Sequence, residues 1–288
     1  MRFSHHVSLF MVLATSFLLA QNKQILYDFR EIPQSLVLNP GMETDFQWFA
    51  GVPLISGISG YAGTNGITVN DIFADDGLDI NDKVRNLMVN GLTTRDEFSQ
   101  VLKVDLFNGG FRSLYSDIFY SFGVYLEMDN ILYWPQDYAV LAFDGNADQL
   151  NRRFNLGDLK TRGSMVAVYH FGVNKKINKK LTAGARAKLY SGITDYISTN
   201  NKGYLVNTEG QNNAIATTLS ADMQLRSSGF GALSNAENQG TLANTFLKRA
   251  IFGGDLGLGI DLGFTYHLNE RTAITGSVLD LGFIYHSG

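Results

Sequence analysis

The side chains that could do chemistry are few. Beyond the first twenty of its 288 residues the chain has three histidines, His170, His267 and His286, and it has no cysteine anywhere. Hydrolysis on such a chain would need a serine beside a histidine, with a carboxylate or amide to orient the ring. Ser121 and Ser164 share a face with His170 under a period-two pattern. No spacing ties them together, so these histidines read as ordinary wall residues, no catalytic residue is assigned, and a non-enzymatic role is expected. The missing thiols remove cysteine nucleophiles, thiolate metal ligands, disulfides and a lipid-bearing cysteine. DDGLDIND, at 75–82, looks like an acidic calcium loop, but an EF-hand needs Gly and Glu where this chain has Ile80 and Asn86. It reads as a capped helix start, and neither a metal nor a cofactor is expected. In DLGLGIDLGFTYHL (255–268) the spacing of Gly257, Gly259 and Gly263 misses the G-x-G-x-x-G of a nucleotide loop.

That stretch alternates instead, with Leu256, Leu258, Ile260, Leu262, Phe264, Tyr266 and Leu268 on one side and small or polar residues on the other. The same period runs through 99–108, 115–129, 180–196 and 214–227, and more weakly through 46–61, 163–173, 203–209 and 272–286. In each, one face is apolar and can meet a greasy medium. The other face gathers Lys103, Asp105, Phe107, Asp117, Glu127, Arg186, Lys188, Asp222, Arg226 and Asp261. A lumen with both signs of charge suits either a solvated channel or a plugged barrel knitted by ion pairs. The eight charged candidates for a lumen are Lys103, Asp105, Asp117, Glu127, Arg186, Lys188, Asp222 and Asp261. Trp48, Tyr115, Tyr133, Trp134, Tyr266 and Tyr285 fall toward strand ends, as interfacial girdles require.

Short connections (108–112, 174–180, 210–213, 269–271) alternate in order with connections that are mostly long (62–97, 130–162, 228–253). Outer-membrane barrels have this asymmetry, with short periplasmic turns and long outer loops. Two long loops carry helix signals: 75–91, with Asp79 or Asn81 as N-cap and Gly91 as the stop, and 133–150, where Pro135 opens a helix. The N-terminus puts Arg2 before an apolar run ending at Ala20, so residues 1–20 are expected to be a cleaved secretory signal. Residues 21–45, with Pro33 and Pro40, read as an irregular periplasmic or plug segment, and 46–288 as the N-terminal part of an outer-membrane β-barrel. The expected nine strands would end on the outer side, and single-chain barrels close with an even number, so the C-terminal closing strands are expected to be missing. No stretch of about 18 apolar residues follows the signal. Losing Arg2 takes the formal charge from -4 to -5, which gives no basic footprint for nucleic acid.

Pairing around the Asn269–Arg271 turn sets Tyr266 opposite Ile274, Phe264 opposite Gly276 and Leu262 opposite Val278. Beyond that the apolar set shifts to Leu279, Leu281, Phe283 and Tyr285, so a bulge is expected near Val278 and Leu279 that turns Asp280 inward beside Asp261.

Pro33, Gln34, Ser35, Leu38, Asn39 and Pro40 form a P-Q-S…L-N-P segment before a Gly-rich first strand. With the hairpin at 176–192 and the stretch 258–284, it resembles a family of Bacteroidota outer-membrane barrels of undefined function. The resemblance covers nearly all of the chain after the signal, and its motifs are structural, so it carries across no catalytic residue. The fold expected is all-β, an antiparallel transmembrane β-barrel with short helices in long outer loops. The function expected is a pore, transport or surface-assembly component of the outer membrane. Its partners would be outer-membrane lipid and other envelope proteins. A lipid or acyl hydrolase or transferase working through His170 or His267, and a secreted β-sandwich adhesin, are the alternatives.

Overall fold

The computed structural model describes residues 29–52, 57–211, 214–236 and 239–286. The expected signal, 1–20, lies outside the described residues. Alternation turns into β1 (Trp48–Ala50), β2 (Ile58–Thr64), β3 (Glu97–Arg112), β4 (Ile118–Tyr133), β5 (Arg153–Asn155), β6 (Lys160–Lys176), β7 (Leu181–Ser198), β8 (Lys202–Glu209), β9 (Ile215–Asp222), β10 (Leu225–Ser228), β11 (Asp255–Asn269) and β12 (Thr272–Ile284). All described pairings are antiparallel. A nine-stranded sheet runs β1–β3–β4–β6–β7–β11–β12, with β2 also on β3 and β10 also on β7. No described pairing joins β12 to β1 or β2, so the sheet is open rather than a closed barrel.

Two features depart from a simple nine-strand meander. The first expected strand is two pieces along β3, with β1 beside 109–111 and β2 beside 98–104. In addition, β8 and β9 leave the main sheet and join β5 in a three-stranded sheet, so β7 pairs directly with β11. The cause is a second small core among the long connections. Val89, Val140 and Phe154 are buried together there, with Leu141 and Leu205 packed on them. Leu205 of β8 is drawn to that core, and the vacated upper edge of β7 is taken by β10.

The helices follow their caps. α1 (Ser35–Leu38) lies in the N-terminal segment. α2 (Val69–Phe73) starts with a reciprocal capping box between Thr68 and Asp71, whose hydrogen bonds hold the Asp71 carboxyl below its usual range. α3 (Ile80–Asn86) is capped by the Asp79 side chain and runs into a π-turn ending at Gly91. α4 (Gln136–Phe143) starts after Pro135. The third long connection also carries helices, α5 (Phe230–Ser234) and α6 (Gln239–Lys248), followed by a π-turn over Arg249–Gly253. The sequence gives no helix signal there, because its Gly, Asn and Ser content resembles a loop.

The register makes rows across the whole sheet. One outward row reads Phe107, Val124, Tyr169, Leu189, Leu258, Phe283, and the next Gly109, Phe122, Phe171, Ala187, Ile260, Leu281. A third reads Phe111, Tyr120, Val173, Ala185, Leu262, Val278. These rows stay aligned only because bulges absorb the shifts. At Leu106 the β3 pattern slips by one, so Phe107, expected on the polar face, points outward, its ring tilted against that of Phe122 with centroids 5.9 Å apart. Between Ile260 and Leu262 the partner steps from Leu281 to Val278, leaving Leu279 and Asp280 opposite Asp261. Asp280 takes φ 57°, a left-handed backbone that Asp tolerates better than branched residues. Its amide donates to the Asp261 carboxylate at 2.7 Å, so the expected bulge is present and Asp280 is turned inward. Asp280→Val should therefore lose about 1–3 kcal/mol more stability than Asp280→Gly, which removes the same carboxylate without backbone strain. Urea unfolding in detergent micelles, followed by the fluorescence of Trp48 and Trp134, would measure the difference.

Candidate functional site

On the inward face the same pairing stacks polar residues in register. One row is Asn108, Gly123, His170, Lys188, Gly259, Gly282, and the next is Gly110, Ser121, Gly172, Arg186, Asp261 with the Asp280 bulge. Arg186 and Asp261 are buried to 2% and 0% exposure. Asp261 lies 3.3 Å from Arg186 and 2.9 Å from Lys188, and Lys188 also reaches Asp280 at 2.5 Å. The Tyr190 hydroxyl donates to Asp280 at 3.1 Å. Farther along the same face, on β3 and β4, the Lys103 ammonium sits 3.3 Å above the Tyr125 ring and 4.0 Å from Glu127. Charges this deep are tolerated only when each meets an opposite partner or a hydrogen bond.

The other half of the Arg186 fork meets backbone. Its guanidinium donates to the carbonyls of Leu36 and Val37, both within α1. Residues 30–44 thus lie across the inward face, held mainly through their main chain. Asn174 donates to Pro40 and Met42 carbonyls, Ser277 to Leu38, and Arg112 to Thr44. Asn39 returns the contact by donating to Phe264 carbonyl and Thr275 hydroxyl. Glu43 ties the end of the segment to Arg30 at 2.9 Å and to His267 at 3.0 Å. Close approach explains one glycine in each of two alternating stretches, 180–196 and 255–268: a Cβ on Gly184 would strike the Pro40 carbonyl, and one on Gly263 the Asn39 amide oxygen. Leu36 and Met42 bury against Phe119.

Beyond the segment, toward the long connections, the face is hollow. A cavity of about 360 Å³ is lined by Tyr125, Glu127, Arg162, Tyr190 and Asp280, and an adjoining one of about 230 Å³ by Val37, Tyr61, Lys103, Lys188 and Asp280. Charged heads, tyrosines and open volume coincide here. No group of three or more potential metal ligands occurs among the described residues.

Of the charged residues singled out from sequence, Lys103, Asp105, Glu127, Arg186, Lys188 and Asp261 come together on this face. Asp117 does not, because it lies exposed in the turn between β3 and β4. Asp222 does not either, since it ends β9 in the small sheet, and Arg226 is exposed on β10. Period-two counting ran through turns that it could not see. His170 is largely enclosed beside Tyr125, and its Nδ1 has no hydrogen-bond partner among the described residues. His286 pairs with Asp255 at 2.9 Å. Trp134, expected in a girdle, donates instead to the Met88 carbonyl inside the loop core. Asn39, Asn174 and Ser277, which carry the segment, had no assigned role. Asn39 stood in the L-N-P motif, and that was the only signal available.

An antiparallel all-β sheet whose polar face is closed by its own leading segment is the class that these contacts define. The chain belongs to a family of unknown function (DUF5723), whose model matches residues 40–288. No curated protein and no solved structure matches it.

Removing Asp261 leaves two buried cations facing each other. Asp261→Ala should cost about 3–5 kcal/mol, and Asp261→Ala with Lys188→Met should recover part of that loss. Gly184→Val should lift residues 38–42 off the sheet, seen as faster proteolysis within residues 30–44 while the sheet stays resistant. Unchanged proteolysis would show that the close approach at Pro40 does not hold the segment.

Proposed function

We propose that this protein is an integral outer-membrane β-barrel component that works in transport or surface assembly, with residues 30–44 as a plug. The observation that carries the reading is inverted polarity. The charged side chains Arg186, Lys188 and Asp261 are buried on one face, whereas the outward rows leave Leu258 58% exposed and Phe283, Val278 and Phe171 similarly bare. A water-soluble sandwich buries its apolar rows against a second sheet. Exposed apolar surface much beyond a few hundred Å² calls for a partner, and three continuous rows across the sheet fit acyl chains. Long connections gathered at one end and short turns at the other fit the same orientation.

The plug favours controlled passage or docking over an open pore. A solute moving along the inward face would have to displace a segment anchored at Arg186, Asn174, Ser277 and Arg112. That displacement is the natural point for an envelope partner to act.

The chain has no native cysteine, so single-cysteine variants label one site each. In proteoliposomes, Leu258→Cys and Phe122→Cys should resist a charged maleimide and react with a membrane-soluble one. Rapid labelling of both by the charged reagent would end the membrane reading. Leu258→Arg should destabilise by about 2–4 kcal/mol, as arginine does on a barrel's lipid face near the midplane. Equal losses for Leu258→Arg and for Arg at an inward position such as Gly259 would count against a lipid-facing row.

A further inference from the structure

The third long connection leaves the sheet by an unusual route. β10 and β11 lie end to end on one edge of β7: β10 pairs with residues 195–198, and β11 with residues 181–192. Between them the chain departs at Gly229 and returns at Gly254, so the whole excursion springs from a seam within the sheet. At that seam β7 carries the Ile193 bulge, and the carbonyls of Gly192 and Ile193 turn toward the excursion. The Arg249 guanidinium donates to both, at 3.2 and 2.6 Å, and the Ser191 hydroxyl donates back to the Arg249 carbonyl at 2.6 Å. Buried backbone carbonyls need such donors, and more so away from water.

The excursion does not project like the other long connections. It folds back on the outward face, over the row above Val124 and Tyr169. Ala167 and Ile193 are closed off beneath Ala250, with Leu126, Met165, Leu233 and Phe246 packed around them. The Tyr169 hydroxyl donates to the Ala250 carbonyl at 3.0 Å, and Phe252 lies 4.6 Å from the Tyr169 ring. Phe252 does this at φ 59°, a conformation that a bulky residue holds only when its surroundings impose it. The excursion leaves Phe230, Leu242, Leu247 and Ile251 exposed and Phe252 half-bare over Tyr169, and Phe171 and Leu256 of the outward face are bare as well. Lys248 stands exposed among them.

We infer that residues 230–236 and 239–253 form an interfacial element that lies in the bilayer leaflet nearer the long connections, with these apolar side chains against acyl chains and Lys248 toward the headgroups. The partner is lipid because the exposed apolar side chains adjoin the outward rows, and because a short helix that exposes Leu242 and Leu247 beside a flanking lysine suits the headgroup boundary. The inference rests on the outward rows being lipid-facing. It adds that the sheet wall is doubled at this seam, so that lipid touches the excursion there and not Leu126, Met165 or Ala167.

Single nitroxide labels on Leu242→Cys, Leu247→Cys and Ile251→Cys test this, with Leu258→Cys as the sheet reference and Ala147→Cys as the aqueous one. All five are made in the full chain in phosphatidylcholine–phosphatidylglycerol vesicles. These side chains are exposed, so the changes remove no core packing, and Phe252 is spared because it holds Tyr169. The accessibility of each label to oxygen, relative to a water-soluble nickel chelate, should be several-fold higher at 242, 247 and 251 than at 147, and should approach that at 258. A high ratio at 258 with ratios at 242, 247 and 251 equal to that at 147 would overturn the interfacial element and leave the membrane reading standing. A ratio at 258 as low as at 147 would remove both.

Discussion

The ion network that joins β7, β11 and β12 on the inward face depends on one carboxylate that has no contact with solvent. Asp261 accepts the Asp280 amide and sits between Arg186 and Lys188, and these two cations in turn reach the α1 carbonyls and Asp280. An ion network this deep adds little net stability compared with a well-packed apolar core, because desolvation offsets most of the Coulomb attraction. Its effect is on arrangement. It fixes which residue of β12 faces β11, and it fixes where the N-terminal segment can lie, because Arg186 cannot serve Asp261 and the α1 carbonyls in any other position.

The strands were legible because alternation is a local signal. From 97 onward, every strand of the main sheet that was read from the pattern is present within a few residues of its expected limits. The bulge at Asp280 was legible for the same reason: the apolar parity changes within a stretch whose turn fixes the register. The exit of β8 and β9 was not legible, because it depends on Leu205 meeting Phe154, Val89 and Val140 from two other connections. Asp117 and Asp222 were misplaced where counting by twos crossed into a turn and into a different sheet. At Phe107 the slip came from one extra residue, Leu106, that nothing in the local pattern announces.

The site was half legible. Its charges were named from sequence because charged residues on a strand with an apolar opposite face have one direction in which to point. What organises them was not, because Asn174, Ser277 and Asn39 act on backbone far away in the chain, and an amide or hydroxyl on a polar face looks the same whether it meets water or a carbonyl.

Those contacts have a consequence for how the segment and the sheet can change over time. The sheet supplies the donors from Arg186, Asn174, Ser277 and Arg112, and what it grips is a succession of carbonyl oxygens from Leu36 to Thr44. Carbonyls are common to every residue type. The segment's side chains are therefore free to diverge wherever they do not fill the gap beside Phe119, as Leu36 and Met42 do, reach the sheet themselves, as Asn39 and Glu43 do, or leave room for close approach, as Gly41 does against Gly263. The grip constrains the shape of the segment far more than its spelling, and the sheet's own donors and glycines are the positions with the least freedom to vary.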